Sequence, residues 1–313
     1  MITVSSYLMG IPPGNENPEK PAIIRNFING VNACGDKGVV VTGWQAIDTD
    51  VAVIQGFVHP GSKNVPHLRL RRQVMENQHK RGKRSIIVDA NLFLYADPGN
   101  TKGYLRYSYD GIFPTTGEYC YDNPDPHRWD QLRKDLKIHV KDWNLTKGSY
   151  ILLCTQRDGG WSMDQTPVID WILQTVNQIR HYSDREIVIR FHPGDKNVKE
   201  HVRKLAKYRI SNLRLTRNKD IKDDFKDAWA VINHNSSPAV ASVIEGIPTW
   251  QTDAVRSQAL DVVHTDFSEI ETPKEFDRLP WLRKMAQCHW TLDELNSGVA
   301  WRHLRKYAIK ETE

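Results

Sequence analysis

The chain has 313 residues, with 43 Lys+Arg against 38 Asp+Glu for a formal net charge of +5, and it is 39% hydrophobic and 26% charged. Those proportions exclude a disordered chain, a collagen or a coiled coil, and the length suggests two domains. No apolar run approaches the ~20 residues needed to span a bilayer, and the start, MITVSSYLMGIPPG, lacks the basic and apolar regions of a signal peptide. A soluble, cytoplasmic, monomeric protein is expected. Cys34, Cys120, Cys154 and Cys288 form no CxxC pair, so free and mostly buried thiols are expected rather than a zinc ribbon.

In chain order, residues 2–7 read as a strand and 10–18 as a Gly/Pro/Asn loop. Pro21 opens a helix to about residue 33, with Ile23, Ile24, Phe27, Ile28 and Val31 at helical spacing. Strands follow at 38–42 and 51–58, a helix at 66–80 and a buried strand at 85–88. Residues 99–125, rich in Tyr, Gly, Pro and Asp, break the rhythm, and 127–140 read as a charged helix. After a turn at 144–148 the alternation restarts. Strands at 150–155, 186–191, 213–215, 230–233 and 249–251 are separated by helices at 168–182, 198–207, 220–229 and 238–244. Near-continuous apolar strands between helices imply parallel sheets covered on both faces. The expectation is α/β, with two Rossmann-like domains at 1–145 and 146–313. Near the end, Thr291-Leu-Asp-Glu294 is a capping box before a last helix, which Gly298 should weaken or kink.

The stretch Ile187-Val-Ile-Arg-Phe-His-Pro-Gly194 is a strand that ends in a cation and an imidazole beside a Gly turn. Open α/β sheets bind ligands outside the carboxyl ends of their strands, so Arg190 and His192 suit a phosphate, or else a plain turn. In Ala230-Val-Ile-Asn-His-Asn-Ser-Ser-Pro-Ala239, a strand leads through His234, Ser236 and Ser237 to a helix opened by Pro238. Such a helix start can face an anion, or the serines can simply cap it. Glu245, two turns on, could hold nucleotide sugar hydroxyls.

Together these pieces resemble the donor-binding half of GT-B glycosyltransferases, in particular capsule-polysaccharide-type transferases. The matching positions are Arg190, His192-Pro193, Ser236-Ser237, Glu245 and Gly246-Ile-Pro248, with Thr155-Gln156-Arg157 after the first strand of that half and Trp290 through Trp301 as the C-terminal segment. The resemblance implies a GT-B fold, two Rossmann-like domains facing a cleft, and a nucleotide-sugar donor, UDP-linked by preference and CMP-linked as the other option. It also implies donor contacts from Gln156, Arg157, Arg190, His192, His234, Ser236, Ser237 and Glu245, and no obligatory cofactor or metal.

The first half has no comparable motif. Asp89 closes the strand at 85–88, a position analogous to that of the base in phage-type DNA glucosyltransferases; it could take the acceptor proton or form an Asx turn. Asp48, Asp50 and Asp110 are rivals. Asp48-Thr49-Asp50 has metal-binding spacing but reads as a turn into a strand. Between His67 and Arg84, seven Lys/Arg face one acid, Glu76. Arg71, Arg72, Arg81 and Lys83 could track nucleic-acid phosphates or form a solvated face. Tyr104, Tyr107, Tyr109, Tyr119 and Tyr121 could stack on bases or pack a lobe. The favoured acceptor is hydroxymethylated pyrimidine in phage DNA, within a bacterial host. A capsule or surface glycan is the alternative, and a nucleic-acid-binding module is the reading outside enzymes.

Overall fold

The computed structural model describes residues 1–11, 19–59 and 61–309, so most of the expected loop at 10–18 lies outside them. The chain forms two compact units, Met1–Lys137 with Leu282–Glu313, and Ile138–Trp281.

The first unit contains β1 (Thr3–Tyr7), α1 (Glu19–Ala33), β2 (Lys37–Val41), β3 (Val51–Gln55), α2 (Pro66–Lys80), β4 (Arg84–Asp89), β5 (Leu105–Tyr109) and α3 (Pro126–Asp135). The second contains β6 (Tyr150–Cys154), α4 (Val168–Arg180), β7 (Glu186–Arg190), α5 (Val198–Lys207), β8 (Leu213–Leu215), α6 (Ile221–Phe225), β9 (Ala228–Asn233), α7 (Pro238–Ile244) and β10 (Thr249–Gln251). The chain returns to the first unit within α8 (Leu279–Gln287) and adds β11 (His289–Trp290), α9 (Leu292–Asn296) and α10 (Val299–Leu304).

This return corrects the expected second domain of 146–313. Trp290, Leu295 and Trp301 pack in one apolar core with Ile23, Phe27 and Val31 of α1 and with Val51, Val53, Ile86 and Val88 of the sheet. A Cβ on Gly30 would fall 1.9 Å from the Leu295 carbonyl oxygen, so only glycine admits this approach of α1 to α9. Asp36 anchors the return. Its carboxylate accepts the Trp301 indole N–H at 2.9 Å and the Ile2 N–H at 2.8 Å, and it pairs with Arg305. The Arg305 contact leads in holding it down at about 2. The capping box at Thr291 forms, and Gly298, at φ 79, separates α9 from α10 as its position suggested.

In the first sheet the order is β11-β5-β4-β3-β1-β2. Strands β1 to β4 are parallel, while β5 runs antiparallel to β4 and β11 antiparallel to β5. The tyrosine-rich stretch is therefore partly sheet. Tyr104, Tyr107, Tyr109 and Tyr119 are buried, which removes them from any stacking surface, and Tyr121 is exposed.

The second sheet has the order β10-β9-β6-β7-β8 and is parallel throughout. Its strands bury Ile151, Leu153, Ile187, Ile189 and Ile232 against Ile169, Ile172, Val176 and Ile179 of α4. The chain moves outward from β6 through β7 to β8, then crosses to the other side of β6 for β9 and β10. That reversal places a crevice at the carboxyl ends of β6 and β9, the usual ligand position in such sheets. In the first sheet the corresponding reversal lies between β1 and β3.

Candidate functional site

At the carboxyl edge of the second sheet, β6 leads into Gln156 and Arg157, β7 into His192, and β9 into the 234–237 loop. Cys154 is level with both Arg190 and Asn233, so these loops leave the sheet side by side.

Arg157 and His192 come together over Gly194. A Cβ there would lie 2.8 Å from Arg157 Nη2 and 3.2 Å from His192 Cε1, which puts both side chains against the same backbone point. The Gly194 N–H donates to His192 Nδ1 at 2.9 Å, which leaves the ring proton of the neutral imidazole on Nε2. Burial, followed by the charge of Arg157, holds His192 below the ordinary histidine range. Arg157 is exposed, and no carboxylate engages it among the described residues.

Gln156 is buried and joins a polar network. It donates to Asn235 and accepts from Ser162. Asn235 donates to Asp253 at 2.8 Å, and Asp253 accepts from Arg256 at 2.6 Å. Asn233, Asn235, Ser162 and Asp253 were missed from sequence. The two asparagines flank His234 in the loop already singled out, and that was the only signal available.

Ser236 Oγ is buried with no hydrogen-bond partner among the described residues. Its N–H donates to Asn233 Oδ1 at 3.0 Å. Ser237 is the N-cap of α7 as expected, yet its side chain makes no capping bond. The helix start is also poorer in donors than expected. Pro238 has no N–H, and those of Ala239 and Val240 bond to the carbonyls of Ser236 and Ser237. His234 bonds Thr252 through Nδ1 at 2.7 Å and lies chiefly by burial below the usual histidine range. It lines a groove of about 670 Å³ with Met163, Trp171, Gln174, Gln178 and Thr252. Arg157 and His192 are not among the residues that line it.

Two expected donor contacts have other partners. Arg190 turns along its strand edge to Asp224, at 2.6 Å, and donates to the carbonyls of Asn218 and Lys219. Asp224 is almost wholly buried. The pair holds the loop after β8 in place, and a guanidinium so engaged is not available to a phosphate. Glu245 sits at the far end of α7 and pairs with Lys141. At 1.5 Å per residue it lies about 12 Å along the helix from Ser237. It faces the edge where β10 begins, opposite the carboxyl ends of the strands, so it cannot hold a ribose beside Ser236.

In the first unit, Asp89 ends β4 with both carboxylate oxygens engaged, one by the Ala90 N–H at 2.8 Å and one by buried Arg106. Its side chain keeps 31% exposure. Asp110 is held by Arg84 and the Ser85 N–H, each at 2.9 Å. Asp50 accepts from Thr3 N and Oγ1, consistent with a turn into β3.

The basic stretch is only partly free: Arg69 and Lys80 are exposed with no ion pair among the described residues, but the expected contact residues are mostly engaged. Arg81 and Lys83 pair with Asp48, and Lys83 also with Asp50. Arg84 is buried over the Tyr109 ring. Arg71 is buried at 7% exposure, because its position faces the sheet when α2 packs on it. Arg72 is half-buried, with Nη2 3.4 Å from the Ser62 carbonyl.

Among the described residues no helix is long and apolar enough to cross a membrane. All four cysteines are free, and three are buried.

No family model matches the chain, and no curated protein matches it in sequence. Two solved structures from Thermosulfurimonas dismutans are similar in fold. One is a KpsC beta Kdo 2,7 transferase, with TM-score 0.50 and 13% identity over 96% of this chain and 99% of that one. The other is a KpsC beta Kdo 2,4 transferase, with TM-score 0.51 and 13% identity over 91% of this chain and 90% of that one. With the two doubly wound sheets, this likeness establishes the fold as α/β of the GT-B type, with two Rossmann-like domains.

Proposed function

We propose that the chain is a glycosyltransferase that moves a sugar from a nucleotide-sugar to an acceptor hydroxyl of a surface or capsule glycan. The observation that carries this reading is the Arg157–His192 pair over Gly194, at the carboxyl ends of adjacent parallel strands. Arg157 and the His192 Nε2–H supply charge and a donor for the donor phosphate, and Ser236 Oγ, buried and unpartnered, adds a third group nearby. Stabilising the phosphate as it leaves is the main catalytic contribution Arg157 and His192 can make, with Ser236 placed on the loop after the neighbouring strand β9. Asp89 remains the proposed base because it ends β4 at the carboxyl edge of the sheet, whereas Asp48 and Asp50 precede β3 and Asp110 meets Ser85 at the start of β4, all at the opposite edge. The donor is UDP-linked by preference, with CMP-linked sugars as the other option, and turnover is expected to survive a chelator because Arg157 supplies a charge and His192 a hydrogen bond for the phosphate.

The acceptor is proposed as a glycan rather than DNA. The DNA reading and the non-enzymatic nucleic-acid module drew on Arg71, Arg72, Arg81 and Lys83, of which Arg71 is buried and Arg81 and Lys83 are ion-paired. The two fold neighbours are Kdo transferases, which favours sugar chemistry over DNA as well. The test is a mass-spectrometric screen of UDP- and CMP-sugars against oligosaccharides and hydroxymethylated DNA. Transfer to oligosaccharide is expected. Transfer to DNA alone would reverse the acceptor assignment, and no turnover of any donor would remove the enzyme reading.

A further inference from the structure

A pocket of about 410 Å³ opens at the carboxyl ends of β3 and β4, lined in part by Lys20, Gln55, Gly56, Arg71, Asp89 and Asn91. It is next to the point where the first sheet reverses direction, the position at which such sheets take ligands. Arg71 reaches it from α2. The side chain is only 7% exposed, and its Nε donates to the Gly10 carbonyl at 2.7 Å. Among the described residues no hydrogen bond or carboxylate engages Nη1 or Nη2. Burial lowers the guanidinium to about 10, so it stays charged at neutral pH.

The backbone is shaped around this cation. Gly56 has φ 89, a backbone conformation that favours glycine, and a Cβ there would fall 2.6 Å from Arg71 Nη1, so a larger residue would push on the guanidinium. Beside it, Gln55 Oε1 is buried with no hydrogen-bond partner. An unpaired buried cation and an unpaired buried acceptor are both costly to keep, and the cost is relieved when a ligand supplies the missing partners. The planar fork of Arg suits a carboxylate, and a lone amide oxygen suits a hydroxyl.

We propose that this pocket binds a carboxylate-bearing sugar, with Arg71 Nη1 and Nη2 holding the carboxylate and Gln55 Oε1 accepting one hydroxyl. Calling that sugar the acceptor rests on the glycosyltransferase reading; the binding itself does not. Asp89, lining the same pocket, then stands where an acceptor hydroxyl could reach it.

The test is a calorimetric titration of the full chain, free of nucleotide, with a galacturonate disaccharide, the matching galactose disaccharide and inorganic phosphate. The acidic sugar is expected to bind at least about tenfold more tightly than the neutral one, and phosphate to compete poorly. Arg71→Met should weaken the acidic sugar by about 10- to 150-fold and leave the neutral one unchanged. Arg71→Lys should restore only part of the preference, because the charge returns without the fork. Gln55→Leu should weaken both sugars alike. Equal binding of the two sugars by the parent protein would overturn the proposal, as would a preference that survives Arg71→Met. Phosphate competing as well as galacturonate would overturn the carboxylate assignment. If Arg71→Met does not fold, the parent's preference and the Gln55→Leu variant decide. Titration of the same samples with UDP and CMP separates the two readings. Lost acid preference with nucleotide binding intact defeats this inference alone. Acid preference without nucleotide binding defeats the glycosyltransferase reading alone.

Discussion

In the first unit, Arg81 and Lys83 meet Asp48, Arg84 meets Asp110, and Arg106 meets Asp89. In the second, Arg157 and His192 stand together without a carboxylate partner among the described residues, although their surroundings hold fewer basic residues in sequence. Much of the richer run of charge is already engaged. A run of Lys/Arg is a count of cations, whereas a binding site is made by cations that the fold leaves without anions. The partners are remote in sequence. Asp48 lies over thirty residues before Arg81, so no local pattern could reveal the pairing.

The largest effect expected from this comparison is at Arg190, the most buried pairing among several carboxylate-bound cations of the second unit. Asp224 accepts from Arg190 at 2.6 Å and from Asn218 Nδ2 at 2.8 Å, with its side chain almost wholly buried. Asp224→Ala leaves that guanidinium unpaired and should destabilise the protein by about 3–5 kcal/mol in urea unfolding. A loss below about 1 kcal/mol with tighter nucleotide binding would show that Arg190 can serve a ligand after all.

The imidazoles extend the contrast. His192 is half-buried at an open edge, whereas His289 is wholly buried, with Nδ1–H donating to the Met285 carbonyl at 2.6 Å and the Leu92 N–H donating to Nε2 at 3.2 Å. Burial pushes His289 down to about 3. The folded state then binds fewer protons than the unfolded one below the ordinary value of 6.5, so stability falls on acidification from about pH 6.5 towards 3. The slope is about 1.4 kcal/mol per pH unit. His289→Gln should flatten this limb, while the contribution of Asp36 is lost only below the ordinary aspartate range, as pH falls from 3.8 towards 2. An unchanged slope between pH 6 and 4 in the variant would contradict the assignment.

Smaller effects follow at exposed pairs. Replacing Arg81 and Lys83 together by Ser should change stability by no more than about 1 kcal/mol, because Asp48 and Arg81 are largely solvated. Neither parent nor variant should show salt-dependent DNA binding in a filter assay; strong binding by the parent, lost in the variant, would restore the DNA reading. Glu245→Gln removes a contact to exposed Lys141 and should leave nucleotide affinity within about twofold. A tenfold loss would return Glu245 to the donor site.

Much of the fold was legible because apolar spacing and punctuation are local. Helix α2 spans the residues expected from the sequence, and the capping box at Thr291 forms as read. What escaped was set by distant packing. The return of α9 and α10 to the first unit depends on Gly30 and Asp36, more than 250 residues earlier. In the site, the strand-end positions of Arg157, His192 and Ser236 followed from the strand–loop–helix rhythm. The diversion of Arg190 to Asp224 and the buried state of Arg71 did not, since each depends on which way a long side chain turns once its element is packed.

The proposed nucleotide-sugar site depends on phosphate binding by Arg157 and His192. Calorimetric titration of UDP and CMP into the parent protein, Arg157→Ala and His192→Ala tests it most directly. Measurable binding of one nucleotide by the parent is expected, with a loss of about 10- to 150-fold in each variant and the fold intact. Unchanged affinity in both variants, or no nucleotide binding by the parent, would contradict it.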